Sequence, residues 1–217
     1  DVSLWDVASG QETSRLKGQL ESSYALVFSP DERYLASGSD DQSIIIWDVA
    51  SGKQVVKFTG FPTGVFALTF TPDGKYLFAG GDTEVVFVYN MQTNKKETEL
   101  WLAADSVFEM LFLPNGYLVC ASYGNVFVAD TSTSRQVKSL TGVSQHVNGL
   151  ALSPDGSLLA AGDYDGKLVL YDTATWAPIK TFSEHWGMIW EIFFSPDGKS
   201  LYTAGGGDGS VLLWNVK

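Results

Sequence analysis

The sequence predicts an all-β fold built from repeated four-stranded sheets, and three observations lead to this prediction. A short turn sequence recurs five times, alternating apolar runs flank each turn, and a Trp-Asp or related dipeptide closes the third run of each unit. Self-similarity at a period of roughly 20 to 50 residues is typical of solenoids, propellers and other repeat arrays. We therefore expect repeated units rather than one irregular domain.

The turn sequences fix the period of the repeat. They read SPDE, TPDG, LPNG, SPDG and SPDG, and their prolines are 42, 42, 40 and 42 residues apart at Pro30, Pro72, Pro114, Pro154 and Pro196. Proline presets φ at the second position of a tight turn, and Asp or Asn followed by Gly suits the next positions. Each turn is therefore expected to join two antiparallel strands.

Short apolar runs around each turn predict four strands in every unit. In the second full unit the runs cover residues 65–71, 75–81, 84–90 and 96–101, and we name them strands a to d. An isolated sheet of this size cannot bury both of its faces, so the units must pack against copies of themselves. Radial packing of such sheets gives a β-propeller.

The ends of the third strands make the resemblance specific. They carry the dipeptides Trp5-Asp6, Trp47-Asp48, Tyr89-Asn90, Ala129-Asp130, Tyr171-Asp172 and Trp214-Asn215. Together with LASGSDDQSIIIWD at 35–48, the turns and the period, these dipeptides show that the chain resembles the WD40-repeat family across essentially its whole length. The resemblance implies a single propeller domain over 1–217. Its predicted parts are strands c and d of an incomplete blade at 1–20, blades at 21–60, 61–102, 103–142 and 143–184, and a last blade at 185–217 without its own outer strand.

The opening segment DVSLWDV reads as a strand c without strands a and b. Two interpretations follow: a five-bladed ring with an extra first strand, or part of a six- or seven-bladed ring that needs roughly 35 or 77 further residues. We favour the second interpretation, because an open strand edge invites association with other chains.

The family's repeat carries a buried hydrogen-bond network formed by a His before strand a, a Ser or Thr in b, an Asp in the b–c turn and the Trp that ends c. The last blade matches at all four places, with His185, Thr203, Asp208 and Trp214. The first full blade has Gln19, Ser37, Asp41 and Trp47, the second has replaced the whole set, and the fourth keeps Asp165 with Tyr171. These residues are expected to be structural, because a satisfied polar network rigidifies a blade.

One position of strand a is the main candidate for binding. It holds Tyr24, Phe66, Phe108, Asn148 and Trp190. Since strand a is innermost in the family, the resemblance implies that these residues encircle one mouth of the central channel. Residues nearby in the repeat are His146 and Met188, two places earlier, and Asp40, Asp82 and Tyr164, before the b–c turn.

Two interpretations of these aromatic residues remain open. In similar WD40 proteins such side chains grip an inserted side chain, often Arg, and a cation over an aromatic face is stabilised by about 0.5 to 2 kcal/mol. Strict alternation instead points Phe66 the same way as Leu68 and Phe70, which makes it core. A β-bulge at the start of the strand would turn it towards the channel.

Composition limits the partners. The net charge of −11 would repel phosphate on average, so we expect no nucleic acid and instead a protein or peptide with basic residues. No apolar run is long enough to span a bilayer, so no membrane partner is expected. A single cysteine and the lack of an Asn-x-Ser/Thr sequon favour a reducing, cytoplasmic location.

The residues offer little for catalysis. The two His and the one Cys are not spaced as metal ligands, and Cys120 in strand b is expected to be a buried thiol. The segment AGGGDGS at 204–210 lacks the following helix and the Lys of a phosphate loop, so it is expected to be a flexible b–c turn. The sequence thus predicts a non-catalytic protein-interaction module without cofactor or metal. The alternatives are a scaffold or sensor propeller that contacts other domains of its own chain, and a propeller enzyme whose polar groups converge at the channel mouth.

Overall fold

The computed structural model describes residues 1–102, 106–144 and 146–216, and every regular element in these ranges is a β-strand. The strands form six antiparallel sheets, which confirms the all-β prediction. The chain divides into two compact units, a first unit of residues 1–100 and a second unit of residues 101–217. The predicted start of the third full blade, residue 103, lies outside the described residues.

The first unit contains one two-stranded sheet and two four-stranded sheets. Their strands are β1 (Val2–Asp6) and β2 (Gln11–Leu16); β3 (Ser23–Phe28), β4 (Tyr34–Ser39), β5 (Ser43–Asp48) and β6 (Lys53–Thr59); and β7 (Val65–Phe70), β8 (Tyr76–Gly81), β9 (Val85–Asn90) and β10 (Lys95–Trp101). Strands adjacent in the chain are adjacent in each sheet. The four runs predicted around Pro72 match β7 to β10 to within about a residue at each end.

The second unit contains two four-stranded sheets and one three-stranded sheet. Their strands are β11 (Glu109–Phe112), β12 (Tyr117–Ser122), β13 (Asn125–Asp130) and β14 (Arg135–Leu140); β15 (Val147–Leu152), β16 (Leu158–Asp163), β17 (Leu168–Asp172) and β18 (Pro178–Phe182); and β19 (Ile189–Phe194), β20 (Ser200–Gly205) and β21 (Val211–Asn215). Each sheet is again a meander of the kind expected for a WD40 blade.

The recurrent turns are held by a hydroxyl and a carboxylate. The hydroxyl before the proline donates to the Asp carboxylate two residues later, at 2.6 to 2.7 Å, in the pairs Ser29–Asp31, Thr71–Asp73, Ser153–Asp155 and Ser195–Asp197. This bond, with a backbone N–H donated to the same carboxylate, lowers the pKa of Asp73 and of Asp155 to about 2. The third turn has Leu113 and Asn115 at these two positions and cannot form the same pair.

Neighbouring sheets within a unit approach each other at glycines. A Cβ added to Gly38 in β4 would lie 2.5 Å from Cγ1 of Val65, the first residue of β7. A Cβ added to Gly162 in β16 would lie 2.7 Å from Cγ2 of Ile189, the first residue of β19. Val65 and Ile189 are both completely buried. The first strand of one sheet is thus seated directly on the second strand of the sheet before it.

In the last sheet the structure brings the four predicted network residues together. His185 Nδ1 lies 2.7 Å from an Asp208 oxygen, and its Nε2 lies 2.7 Å from the Thr203 hydroxyl, which also accepts the Trp214 indole N–H at 2.8 Å. A neutral His185 protonated on Nδ1 satisfies every group, because the Thr203 hydroxyl can then donate to Nε2. The bond from His185 holds the pKa of Asp208 well below its usual range.

The first full sheet contains a modified network. The Trp47 indole donates to the Ser37 hydroxyl at 2.9 Å, whereas the Gln19 amide donates to the Ser37 carbonyl. Asp41 accepts the N–H of Leu20 at 2.8 Å. Gln19 therefore stands at the repeat position of His185 but does not link the Asp41 carboxylate to the Ser37 hydroxyl, as His185 links Asp208 to Thr203.

In the sheet of β15 to β18 the prediction that Asp165 is the retained carboxylate is wrong. Asp165 is exposed, and Asp163, two residues earlier, is completely buried. Asp163 accepts the N–H groups of Ser144, Asp165 and Lys167. From the end of β16, the Asp163 carboxylate thus binds both the turn that follows this strand and the segment that precedes β15.

A substitution in the first recurrent turn tests the turn geometry. Glu32 has φ 57°, a left-handed conformation that the four sister turns give to glycine. Glu32→Gly should raise the free energy of unfolding by about 0.5 to 1 kcal/mol, because a side chain in this region is strained. Urea unfolding would measure the change. Glu84→Gly is the matched control, because Glu84 is exposed and has no positive φ, and this substitution should not raise the free energy of unfolding.

The His185–Asp208 pair should make stability depend on pH. A carboxylate whose pKa is depressed in the native state contributes stability above its unfolded pKa of about 3.9, and this contribution is lost as pH falls towards the native value. The melting temperature of Asp208→Asn should therefore lie below that of the wild type at pH 7, and the gap should shrink below about pH 4. A gap that stays constant down to about pH 2 would contradict this role of the pair.

Candidate functional site

The candidate binding residues of the first strands lie at β-bulges. The strand register shifts at the predicted position in four sheets, at Tyr24, Phe66, Asn148 and Trp190. A bulge inserts an extra unpaired residue and redirects its side chain. Strict alternation therefore does not hold at Phe66, which is half-buried, whereas Leu68 and Phe70 in the same strand are buried.

In the first unit the structure brings Tyr24, Phe66 and Asp40 together. The Tyr24 and Phe66 rings meet edge to face, with centroids 5.6 Å apart. A Cβ on Gly64 would lie 2.4 Å from Asp40 Oδ1 and 2.9 Å from the Phe66 ring, so the carboxylate and the ring flank the same backbone position. Asp82 is exposed in the turn after β8. This unit thus presents two aromatic rings beside a carboxylate.

In the second unit four rings form one cluster, which we call the aromatic cluster: Phe108, Tyr123, His146 and Tyr164. The His146 ring lies 4.4 Å from Phe108 and 4.5 Å from Tyr123 between centroids, and Phe108 meets Tyr123 edge to face at 4.8 Å. Tyr164 stacks on His146 at 6.0 Å, with 18° between the planes. Burial lowers the pKa of His146, so its ring is neutral at pH 7.

Asn148, Met188 and Trp190 lie next along the first strands of the second unit. The Asn148 amide points at the Met188 sulfur. A Cβ on Gly206 would lie 2.0 Å from Trp190 Nε1, so the indole rests directly on this glycine while 54% of Trp190 stays exposed. The sequence predicts that the glycines of this segment make a flexible turn. The structure gives another reason for glycine at residues 205–207, because atoms of neighbouring residues occupy the space that a Cβ would need.

The five positions named from the repeat are divided between the two units. Tyr24 and Phe66 belong to the first unit, and Phe108, Asn148 and Trp190 belong to the second. A ring formed by all five residues remains a prediction.

Sequence reasoning missed two carboxylates beside this register. Glu109 and Glu191 directly follow Phe108 and Trp190, at a position where the sister strands carry Ala25, Ala67 and Gly149. Burial together with the charge of Glu191 raises the pKa of Glu109 to about 8. The signal was a charged residue at a repeat position that is otherwise small, directly after an aromatic residue in the chain.

Other candidate chemistry finds little support. Cys120 is completely buried in β12, and burial raises the pKa of its thiol. Within the described ranges, no three His, Cys, Asp or Glu side chains are grouped so that they could hold a metal ion. The same ranges contain no helix with the length and hydrophobicity that a membrane crossing requires.

Comparison with known proteins places these features in a family. The chain is 33% identical over 100 residues to Serine-threonine kinase receptor-associated protein of Gallus gallus, a match that covers 46% of this chain and 28% of that protein. It is 31% identical over 94 residues to Actin-interacting protein 1 of Caenorhabditis elegans, with 43% and 15% covered. Pre-mRNA-processing factor 19 of Schizosaccharomyces pombe is 29% identical over 101 residues, with 46% and 20% covered.

The chain thus spans less than a third of the length of each of these relatives. The model of the family described as WD domain, G-beta repeat, matches residues 10–48, 52–90, 134–172 and 176–215, which is most of the chain. With the repeated four-stranded sheets, this match confirms the resemblance drawn from the turns and the Trp-Asp dipeptides. The chain belongs to the WD40 family.

Proposed function

We propose that this chain is a non-catalytic protein-interaction module whose aromatic side chains and neighbouring carboxylates bind a basic segment of a protein partner. The observation that carries the proposal is the aromatic cluster of the second unit, in which Tyr123 and Tyr164 are about half exposed. Two of the relatives are named for association with a receptor or with actin, which supports a role in protein binding in general.

The chemistry of the cluster favours a cation. An Arg or Lys side chain placed over Tyr or Phe faces is stabilised by about 0.5 to 2 kcal/mol for each ring, and by more where water is excluded. His146 does not oppose this charge, because burial lowers its pKa and keeps the ring neutral. Glu109 and Glu191 are the acidic groups that recognise the charge of the inserted side chain, and since the pKa of Glu109 is raised to about 8, its carboxyl ionises as the cation binds.

The surroundings of the cluster favour an extended protein segment. The members of the cluster directly precede or follow strands, at the start of β11, the end of β12, the start of β15 and the end of β16, so the sheet limits the ordering entropy that is lost when a segment binds. The net charge of −11 attracts basic segments and speeds their association. The cytoplasmic location predicted from the sequence fits such a partner and stays a prediction.

A scaffold role within a larger chain is the second candidate function. It is favoured by Trp101 and Trp186, which are 66% and 76% exposed and belong to neither group of rings described above. Large exposed aromatic side chains of this kind often mark an interface with a neighbouring domain.

Binding of a short peptide tests the primary proposal. Tyr164→Ala and Trp190→Ala should each weaken binding of an Arg-containing peptide about fivefold, since each removes one aromatic face. Both side chains are 54% exposed, so the melting temperature should hardly change. Fluorescence polarisation would measure affinity, with Trp101→Ala as the exposed-tryptophan control. Equal binding of a peptide in which Gln replaces Arg would contradict the proposal.

The affinity for the basic peptide should rise with pH. The cation favours ionised Glu109, whose pKa is raised to about 8 in the free protein, so binding releases a proton below that pH. The dissociation constant should therefore fall between about pH 6 and pH 8.5, and Glu109→Gln should flatten this dependence. Calorimetry in two buffers of different ionisation enthalpy would detect the released proton, and a pH-independent affinity would count against a role for Glu109.

A further inference from the structure

A groove in the first unit lies between its two four-stranded sheets. It has a volume of about 490 Å³, within the range of about 300 to 1,000 Å³ that is usual for ligand pockets. Its apolar lining, apart from two prolines, consists of Tyr34, Ile46, Val55, Phe70 and Met91. Ile46 and Phe70 are buried, whereas Val55 is 48% exposed, so the groove leaves apolar surface in contact with water. We call this site the inter-sheet groove.

The second unit shows which side chain fits a surface of this kind. Trp176 lies in the turn between β17 and β18, at the repeat position that Asn94 holds between β9 and β10. Both residues have a left-handed backbone, with φ 61° and 53°. Trp176 is half-buried and packs, with Tyr117 and Leu152, against the apolar cluster that joins the sheet of β11 to β14 with the sheet of β15 to β18. An indole ring at this position thus covers apolar residues between two neighbouring sheets.

The inter-sheet groove contains the counterparts of these residues without the indole. Tyr34 corresponds to the tyrosine that packs with Trp176, because each is the first residue of the second strand of its sheet. Phe70 corresponds to the leucine, because each is the last residue of a first strand. Asn94, the counterpart of Trp176, lines the groove but is short and exposed. The groove therefore presents an apolar surface of the kind that Trp176 covers in the second unit, and no tryptophan lines it.

The backbone of Trp176 indicates that this contact is favourable. A bulky residue in the left-handed region is strained, because its Cβ approaches the following carbonyl oxygen. The corresponding turns hold Gly10, Gly52, Asn94 and Ser134, and glycine and asparagine are the residues that adopt this region most readily. The packing of the Trp176 indole against the apolar cluster offsets the strain.

The rim of the inter-sheet groove supplies a hydrogen-bond acceptor. Asp31 lines the groove, and its Oδ1 accepts the Ser29 hydroxyl at 2.6 Å and the Arg33 N–H at 3.2 Å. These two bonds, with a smaller effect of the Arg33 charge, lower the pKa of Asp31, so its carboxylate is ionised at pH 7. Asp73 also lines the groove, but its Oδ2 pairs with the Lys75 ammonium at 3.1 Å. Asp31 Oδ2 is thus the oxygen left to accept an N–H group of a ligand.

We propose that the inter-sheet groove binds a tryptophan side chain of a protein partner, with the indole on the apolar lining and its N–H donated to Asp31. A tryptophan fits better than an aliphatic side chain, because it buries a large apolar area and carries one N–H donor that needs a partner when buried. Side chains of this type often anchor a protein interface in a pocket. The site lies wholly in the first unit and does not depend on the aromatic cluster.

Titration with a small probe tests the site. N-acetyl-tryptophan amide should shift the amide resonances of residues 31–34, 73–75 and 91–94 of the full chain, whereas N-acetyl-alanine amide should not. N-acetyl-1-methyltryptophan amide, which lacks the indole N–H, should bind about tenfold more weakly, as expected when a hydrogen bond to a charged group is lost. Equal binding of the methylated probe would overturn the role given to Asp31 and with it the choice of tryptophan.

Two substitutions of Asn94 form a matched pair. Asn94→Trp gives the first unit the side chain that Trp176 supplies in the second, so it should fill the groove and abolish binding of N-acetyl-tryptophan amide. Asn94→Gly gives this turn the residue type of Gly52 and leaves the groove open, so the probe should bind as it does to the wild type. A folded Asn94→Trp variant that binds the probe like the wild type would overturn the proposed site.

A substitution of Val55 keeps the test independent of how well Asn94→Trp folds. Val55 lines the groove and is 48% exposed, so Val55→Glu should hardly change the melting temperature. It should weaken probe binding about fivefold, because the indole would cover a charged group. Val137→Glu, at the same position of β14 and 50% exposed in the wild type, is the control and should leave the affinity unchanged. Unchanged binding by Val55→Glu would also overturn the site.

The source of the tryptophan is tested with two further measurements. Free tryptophan should bind more weakly than its capped amide, and tighter binding of the free amino acid would overturn the assignment to a protein partner. Trp101 and Trp186 are exposed, so a second copy of the chain is the rival occupant. Sedimentation equilibrium should give the same association state for the wild type and for Asn94→Trp. Self-association that is lost in Asn94→Trp and in Trp101→Ala or Trp186→Ala would overturn the proposal in favour of a second copy.

Discussion

The structure depends on the close seating of the first strand of one sheet on a glycine in the second strand of the preceding sheet. Val65 meets Gly38 in the first unit, and Ile189 meets Gly162 in the second, at distances that leave no room for a Cβ. Apolar burial is the main favourable term in folding, and interiors are packed as densely as organic crystals. Val65 and Ile189 are the first residues of β7 and β19, so their contact with glycine fixes where each of these strands begins.

This seating also explains how side chains leave the core at the start of a strand. The residue after each seated side chain is the extra residue of a bulge, so Phe66 and Trp190 leave the alternation that buries their neighbours. The burial of one residue and the redirection of the next are therefore coupled, and the same pattern occurs in both units with different side chains at the bulge.

Local periodicity was enough to predict the turns and the four-strand units, because each depends on neighbours within one repeat. It identified the position of Phe66 and Trp190 in the repeat but left open whether a bulge turns these side chains out of the core. It could not reveal Asp163, because a carboxylate two residues away from the expected position can still reach the same N–H groups. It also could not reveal that the Phe108, Tyr123 and His146 rings pack together, because only the tertiary structure brings them into contact.

A double-mutant cycle on Gly162 and Ile189, measured by urea unfolding, tests the seating contact most directly. Gly162→Ala should cost about 2 kcal/mol or more, because the new Cβ would lie 2.7 Å from Ile189. Ile189→Ala removes the obstructing atoms, so the loss in the double variant should be smaller than the sum of the two single losses by about 1 kcal/mol or more. Strictly additive losses, or a neutral Gly162→Ala, would contradict the account.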